Sequence, residues 1–201
     1  MLDDLTNLQA LLKDSTLLAT RGYIAGEWCD GENGQTFPVY NPARGDVITD
    51  VADISRTQAA EAISISDKAQ KLWAARPAKE RSNLLRKWYN LMMENQEDLA
   101  TILTAEQGKP LEEAKGEIAY GASFIEFFAE EAKRVYGETI PGHQSDKRIT
   151  VLKQPVGVAA SITPWNFPNA MITRKAGPAL AAGCAFIARP AAETPLSALA
   201  M

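Results

Sequence analysis

The segment from Val156 to Ala192 constrains the fold of this chain more than any other, because strand-like and helix-like patterns alternate along it. Small and β-branched residues at 156–161 precede a proline-flanked loop, and an apolar stretch, Ala170 to Ala182, then ends at Gly183. A second strand-like run follows at once and leads into another loop. This order predicts two parallel strands with a helix between them. Ligands of parallel α/β sheets bind at the carboxyl ends of the strands, so we expect both loops to open onto one crevice.

Each of these two loops carries a polar residue that is a candidate for chemistry. Asn166 lies between Pro164 and Pro168 after the first strand, and Arg189 follows the second, which is predicted at 184–188. A fixed amide donor can stabilise a negative oxygen that develops in a water-poor site. The alternative is that Asn166 only shapes the turn between the prolines, because Asn is a common turn residue.

The composition excludes several classes of protein. With 201 residues, 46% of them hydrophobic, the chain is long enough for one or two domains with a buried core. A net charge of −4 and a pI near 5.2 argue against nucleic acid as a partner. The chain has no apolar run of about eighteen residues, so we expect no membrane span. Two cysteines are too few for a disulfide scaffold, and the N-terminus lacks a basic signal start, which favours a cytoplasmic protein.

Turns and helical periodicity dominate the region before this segment. Residues 23–28 and 36–40 flank a Gly- and Asn-rich stretch, which predicts a β-hairpin. Leucines at helical spacing indicate a helix within residues 2–12, and residues 148–154 alternate like an exposed edge strand. Four further helices are predicted, at 57–75 with Thr57 as the cap, at 78–95, at 97–106 and at 111–136.

Several motifs in a fixed order resemble those of the aldehyde dehydrogenase superfamily. The resemblance runs from about Tyr23 to Met201, and within the superfamily it is strongest to the bacterial succinate-semialdehyde dehydrogenases. The matching motifs are Asn41-Pro42, Glu106-Gln107-Gly108-Lys109-Pro110, Phe124 to Glu131, Ile140-Pro141-Gly142-His143, Thr163-Pro164-Trp165-Asn166-Phe167-Pro168, Ala170 to Lys175, Pro178 to Cys184 and Thr194 to Leu199.

This resemblance implies an α/β fold that is the N-terminal part of the aldehyde dehydrogenase fold. Residues 1–136 would be the helical part of the cofactor-binding domain, 137–155 an oligomerisation β-arm, and 156–201 the start of a parallel Rossmann-like sheet. The implied activity is oxidation of succinate semialdehyde to succinate by a homo-oligomer, with NADP as the cofactor and NAD as the second candidate. A solvent-facing hairpin is the alternative to the β-arm, and an enzyme for another aldehyde is the alternative activity.

The resemblance also implies roles for individual residues. Asn166 would be the catalytic oxyanion donor, and Arg174 would bind the far carboxylate of the substrate. Without the resemblance, Arg174 would belong to a solvated helix face and Trp165 would be a buried anchor. We expect no metal site. The implied cofactor contacts are Ile162, Thr163 and Pro164, mostly through their backbone, together with Trp165, Asn166, Arg189 and Ala192.

Two positions depart from the family pattern and bear on the cofactor. Arg189 stands where the family usually has Lys, and Arg suits a phosphate better than a hydroxyl. Ala192 stands where NAD-preferring relatives carry Glu and NADP-preferring relatives tend to carry Ser. Without the carboxylate that would repel a 2′-phosphate, this pair favours NADP.

The family's nucleophilic cysteine, its phosphate-binding glycine loop and its general base all lie beyond Met201 by this resemblance. Cys29 sits in a turn-rich segment and Cys184 in a buried strand, where a cysteine is usually inert. His143 is predicted to lie in a surface loop, and Glu106 to be structural. We therefore interpret the chain as the N-terminal portion of a longer enzyme that is inactive alone, with a non-catalytic interaction subunit as the alternative.

Overall fold

A computed structural model describes residues 8–201, so the first turns of the predicted N-terminal helix lie outside the described residues. The helices are α1 (Leu8–Leu11), α2 (Arg56–Ala74), α3 (Ala78–Glu94), α4 (Gln96–Gln107), α5 (Leu111–Glu131), α6 (Ala170–Ala182) and α7 (Leu196–Leu199). The strands are β1 (Gly22–Ile24), β2 (Glu27–Cys29), β3 (Thr36–Tyr40), β4 (Val47–Ala52), β5 (Glu138–Pro141), β6 (Arg148–Val151), β7 (Val158–Ile162) and β8 (Ala185–Arg189).

Helix α5 lies at the centre of the helical part and packs against α3, α4 and α6. Its inward positions alternate between large and small side chains, and Ile118, Ala122, Ile125 and Ala129 are fully buried. Alanines let neighbouring helices approach closely, while the isoleucines fill the space between them. The helix ends at Glu131 and a 3₁₀ turn follows, so the predicted extension to residue 136 is too long.

The predicted cap of α2 is wrong by two residues. Ser55, not Thr57, caps the helix: its hydroxyl accepts the Gln58 N–H at 3.2 Å, and the Gln58 side chain accepts the Ser55 N–H at 3.0 Å. This reciprocal capping box satisfies two backbone donors that an isolated helix end would leave open. Ser55 and Thr57 are both hydroxyl residues and lie two positions apart, so the sequence pattern alone did not show which of them caps the helix.

The predicted hairpin between residues 23–28 and 36–40 is also wrong. Strand β1 instead pairs with β2, and β3 pairs with β4, both antiparallel. The chain reverses at Ala25 and Gly26, where both residues have positive φ, so the first segment folds back on itself. The Asn41–Gly45 turn then brings the β-branched strand β4 onto β3, a partner that the prediction overlooked.

The predicted strand–helix–strand unit is confirmed. Strands β7 and β8 are parallel, with Ile162 opposite Arg189, and α6 connects them over the predicted residues. Its C-terminal carbonyls are held by side chains from α2 and α3. Trp73 donates to Leu180 O at 2.9 Å, Arg81 to Ala181 O at 3.2 Å and Gln70 to Gly183 O at 3.1 Å. The helical part thereby fixes the start of β8.

Strands β5 and β6 form an antiparallel hairpin whose residues are all exposed. The edge strand predicted from alternation is thus present, although it ends at Val151. None of the helices within residues 8–201 combines the length and the apolar character that crossing a bilayer requires.

Candidate functional site at the strand ends

The two parallel strands end side by side and define the candidate site. The Thr163 N–H donates to the Arg189 carbonyl at 3.1 Å, which holds the start of one loop against the start of the other. Ile162 and Trp165 stay 75% and 54% exposed at this edge, so Trp165 is not the buried anchor of the alternative interpretation. The carboxyl ends of both strands thus lie at one edge of the sheet, and we call this edge the strand-end crevice, with residues 162–168 and 189–193 as its rim.

Asn166 lies in the first rim loop with its side chain exposed. Among residues 8–201, the amide of Asn166 makes no hydrogen bond, whereas its backbone carbonyl accepts one from Lys109 Nζ at 3.2 Å. An Asn that shapes a turn usually bonds to nearby backbone through its side chain, as Asn41 does with the N–H groups of Ala43 and Arg44. The Asn166 amide is therefore available to a ligand.

Two residues that the sequence analysis did not assign support this loop from below. Lys109 Nζ pairs with Glu117 Oε2 at 2.5 Å, and the other Glu117 oxygen accepts the N–H groups of Asn169 and Ala170 at 3.0 and 3.3 Å. A carboxylate at these first amides of α6 complements the positive end of the helix dipole. Lys109 belongs to the Glu106–Pro110 motif, but Lys109 and Glu117 both lie about 50 residues before the loop that they contact. The sequence spacing therefore did not predict this contact.

Arg174 lies on α6 in a partly buried position against α5. Its guanidinium donates to the Tyr120 hydroxyl at 3.0 Å and lies 5.4 and 5.1 Å from the ring centroids of Tyr120 and Phe124. No carboxylate within residues 8–201 pairs with it. Arginine stacks well on aromatic faces, so the side chain is fixed while its charge remains unneutralised. A freely solvated helix face does not describe it.

The second rim loop presents Arg189 and Ala192, both exposed. In the part of the chain that the structure describes, the Arg189 side chain has no hydrogen-bond or ion-pair partner. Thr163 is buried and its N–H donates to the Arg189 carbonyl, so a backbone contact of Thr163 with a ligand would use its other backbone atoms. The buried hydroxyls of Ser161 and Thr194 lack partners among residues 8–201.

Glu106 is fully buried beneath the second rim loop. Its two carboxylate oxygens accept the N–H groups of Leu196 and Ser197, each at 2.7 Å. Burial raises the pKa of this carboxyl from 4.5 to about 7, the hydrogen bonds from Ser197 and Leu196 oppose the shift, and the charge of Glu117 adds to it. Since both oxygens are committed to α7, the structure agrees with the structural role predicted for Glu106.

The two cysteines lie away from the rim. Cys184 is buried immediately before β8, at the opposite end of that strand from Arg189. Cys29 is on β2, where its thiol contacts the Gly22 carbonyl at 3.3 Å. His143 is exposed in the loop between β5 and β6, as predicted. The candidate site lies at the carboxyl ends of β7 and β8, and neither thiol is located there.

Comparison with known proteins decides the family. A model described as the aldehyde dehydrogenase family matches residues 28–201. The chain belongs to the aldehyde dehydrogenase family. Glutarate-semialdehyde dehydrogenase of Pseudomonas putida is 63% identical over 190 residues, which cover 94% of this chain and 40% of that protein. The NADP(+) succinate-semialdehyde dehydrogenase of Escherichia coli is 59% identical over 190 residues, covering 94% of this chain and 39% of that protein.

A solved structure shows the same relationship in three dimensions. The crystal structure of an aldehyde dehydrogenase from Brucella melitensis biovar abortus 2308 matches with a TM-score of 0.93 at 59% identity, over 94% of this chain and 39% of that one. The expected fold, the N-terminal part of the aldehyde dehydrogenase fold, is confirmed. The chain spans about 40% of the length of the relatives it matches.

Proposed function

We propose that this chain forms the N-terminal portion of an NAD(P)-dependent dehydrogenase that oxidises a semialdehyde with a terminal carboxylate. Succinate semialdehyde is the first candidate substrate. Glutarate semialdehyde, longer by one methylene, is the second, because the Pseudomonas putida relative is named for it. The observation that carries the proposal is the uncommitted amide of Asn166 at the strand-end crevice, and the fixed Arg174 on α6, which has no carboxylate partner among residues 8–201, supports it.

Asn166 would supply the electrostatic part of the chemistry. When a nucleophile adds to an aldehyde, the carbonyl oxygen gains negative charge. An amide that needs no rearrangement to donate a hydrogen bond stabilises this charge more than bulk water does. Asn166 meets that condition because its backbone is held by Lys109 while its side chain has no partner among residues 8–201.

Arg174 would set the substrate class. Both candidate substrates carry a carboxylate at the end opposite the aldehyde, and arginine pairs with carboxylates through strong, directional hydrogen bonds. Tyr120 and Phe124 restrict the guanidinium, so less side-chain entropy is lost when a carboxylate binds. This arrangement favours an acidic aldehyde over an uncharged one of the same length.

The rim of the crevice would bind a dinucleotide. Ile162, Pro164 and Trp165 present exposed surface, and the unpaired Arg189 offers a cation beside it. When bound, NAD(P) accepts the hydride that the aldehyde carbon loses. Arg189 would hold a phosphate or ribose, and Ala192 would leave room beside it. The name of the Escherichia coli relative states NADP(+), which supports the cofactor preferred from Arg189 and Ala192.

The remaining parts of the proposal concern assembly and location. The exposed β5–β6 hairpin would serve as an oligomerisation arm, since its unpaired edges can add to a neighbouring sheet. We assign residues 8–136, 137–155 and 156–201 to the helical part, the arm and the start of the cofactor-binding sheet. Two free cysteines suit a reducing compartment such as the cytoplasm.

The substrate assignment is tested in a chimera in which this chain replaces the matching part of the Pseudomonas putida relative. We expect Arg174→Met to lower kcat/KM for succinate and glutarate semialdehydes by ~10-fold or more, since one charge-assisted hydrogen bond contributes ~1.5–3 kcal/mol. Activity on butanal, which has no carboxylate, should change by less than about threefold. The matched control is Arg56→Met at the exposed start of α2, which should alter neither.

The alternatives give different results in the same assay. Equal losses on butanal and on the semialdehydes would remove the carboxylate role of Arg174 and favour another aldehyde. A folded chimera with no turnover of any aldehyde would favour a non-catalytic subunit.

A further inference from the structure

We propose that Lys109 is a positioning residue for Asn166 and that it acts together with Glu117. The two side chains form a buried ion pair that contacts the loop at Asn166 and at the beginning of α6. The inference rests on the proposed function, because it assigns to the pair the task of orienting the oxyanion donor.

Lys109 holds the centre of the loop by two contacts. Its Nζ donates to the Asn166 carbonyl at 3.2 Å and lies 4.0 Å from the centroid of the Phe167 ring. The carbonyl of Asn166 belongs to the peptide that joins it to Phe167, so the cation restrains this peptide and the next side chain together. No side-chain bond restrains Asn166 within residues 8–201, which leaves the backbone contact to fix its direction.

Glu117 holds the other end of the segment. One Glu117 oxygen forms an ion pair with the Lys109 ammonium, and the other accepts hydrogen bonds from the N–H groups of Asn169 and Ala170 at the beginning of α6. One ion pair therefore ties the Asn166 carbonyl to the first turn of α6. Rotation of the Asn166–Phe167 peptide would break the contact with Lys109, and a shift of the start of α6 would break the contacts with Glu117.

The burial of this pair argues that it does more than stabilise the fold. The Lys109 side chain is 11% exposed and that of Glu117 is 1% exposed. Buried ion pairs contribute little net stability compared with well-packed apolar residues, because both charges lose their hydration. A lysine that also reaches a loop carbonyl is, however, well suited to hold that loop in one conformation.

The expected catalytic effect follows from the geometry that an oxyanion donor needs. Donors act when they lie at hydrogen-bond distance from the developing charge, and a displacement of ~1 Å can cost ~10²-fold in rate. Removing the Lys109 ammonium releases the backbone of Asn166 but leaves its side-chain amide in place. The loss should therefore be smaller than that caused by removing the amide.

A double-mutant cycle in the chimera tests the inference. We expect Lys109→Met to lower kcat about tenfold to a hundredfold, with the KM for the cofactor changed by less than about twofold. In an Asn166→Ala background the same substitution should lower kcat by less than about twofold, because the residue that Lys109 positions is gone. Lys109→Arg, which keeps a cation, should recover part of the lost kcat.

The matched control is Lys115→Met. Lys115 is also a lysine near the start of α5 and pairs with Glu97 and Glu112, but it has no contact with the loop. It should leave kcat within about twofold of the parent. If the chimera with Lys109→Met fails to fold, Lys109→Gln takes its place in the cycle, because it keeps an N–H donor and fills similar space. Its expected loss of kcat is smaller than that of Lys109→Met, but it should still exceed about threefold in the parent and stay below about twofold in the Asn166→Ala background.

The outcomes separate this inference from the function on which it rests. Equal losses from Lys109→Met in both backgrounds would show a general structural effect and overturn the positioning role. A loss under about threefold in the parent, alongside a large Asn166→Ala effect, would overturn only the positioning role. An Asn166→Ala chimera of undiminished kcat would overturn the proposed function and this inference with it.

Discussion

Single residues in the strand-end crevice combine strong polar groups with missing partners. Asn166 and Arg189 make no side-chain bond among residues 8–201, and Arg174 is held by a hydroxyl and two aromatic rings without a counter-ion. Folding normally pairs such groups or leaves them fully solvated. Asn166 and Arg189 lie where two adjacent parallel strands end, which is where an anionic ligand or a developing negative charge would bind.

We expect the chimera to prefer NADP to NAD, and Ala192→Glu to move this preference toward NAD. A carboxylate at residue 192 would repel the 2′-phosphate and accept hydrogen bonds from the ribose hydroxyls. Arg189→Ala should reduce kcat/KM for NADP more than for NAD, since the guanidinium is exposed and unpaired within the described chain. Ratios of kcat/KM for the two cofactors check this. A parent that already favours NAD, or a glutamate variant with the parent's ratio, would contradict it.

Glu106 predicts a pH dependence of stability. Its pKa is raised from 4.5 to about 7 by burial, so the folded chain binds the proton more tightly than the unfolded chain. The free energy of unfolding should therefore fall as pH rises from about 4.5 to about 7, by at most ~1.4 kcal/mol per pH unit from this group. The thermal midpoints of the chimera and its Glu106→Gln variant at pH 5 and pH 8 measure the effect. The parent's advantage over the variant should be larger at pH 5, and a pH-independent difference would contradict this assignment.

At the scale of elements, helices and the strand–helix–strand unit were predictable because their signals are local. Apolar periodicity and the terminal Gly183 gave the bounds of α6 as observed. The strand pairing in the N-terminal hairpins was not predictable from the sequence, because two short apolar segments near several turns allow more than one pairing. The role of the Lys109–Glu117 ion pair was not predicted for a related reason. Lys109 contacts Asn166, which lies 57 positions away in the chain, and local sequence patterns do not report such contacts.

The capping box of α2 gives a direct test of one corrected element. Ser55→Ala should destabilise the chimera by ~1 kcal/mol, because it removes the acceptor for the Gln58 N–H. Thr57→Ala is the matched control, since Thr57 is exposed inside the first turn and should change stability by less than ~0.5 kcal/mol. Urea unfolding followed by circular dichroism compares the two. A larger loss at Thr57 would restore the original cap assignment.

At the scale of the whole molecule, the parallel sheet within residues 8–201 consists of two strands with an exposed apolar surface. Within residues 8–201, β7 and β8 pair only with each other, and large apolar side chains such as Val156 and Ile162 stay mostly exposed. Parallel sheets are normally covered on both faces and extended by further strands. The relatives that the chain matches are longer, since it spans about 40% of their length.

We expect the 201-residue chain alone to form no NAD(P)H from succinate or glutarate semialdehyde. Cys184 lies at the wrong end of β8 and Cys29 lies in a separate hairpin, so neither thiol reaches the strand-end crevice. The chain should also bind a hydrophobic dye through its uncovered sheet. Absorbance at 340 nm with purified chain measures turnover. Activity that disappears with Cys29→Ser or Cys184→Ser would show that one of these thiols is the nucleophile after all.

The most direct test of the account is the rate of hydride transfer in the chimera with Asn166→Ala, measured in a single turnover with succinate semialdehyde and NADP. Loss of one oxyanion donor typically lowers this rate by ~10²–10³-fold, and the dissociation constant of NADP should change little because the amide acts on the developing charge. Asn83→Ala, on the exposed face of α3, is the control and should match the parent. A hydride-transfer rate within about threefold of the parent would return Asn166 to the role of a turn residue and contradict the proposed site.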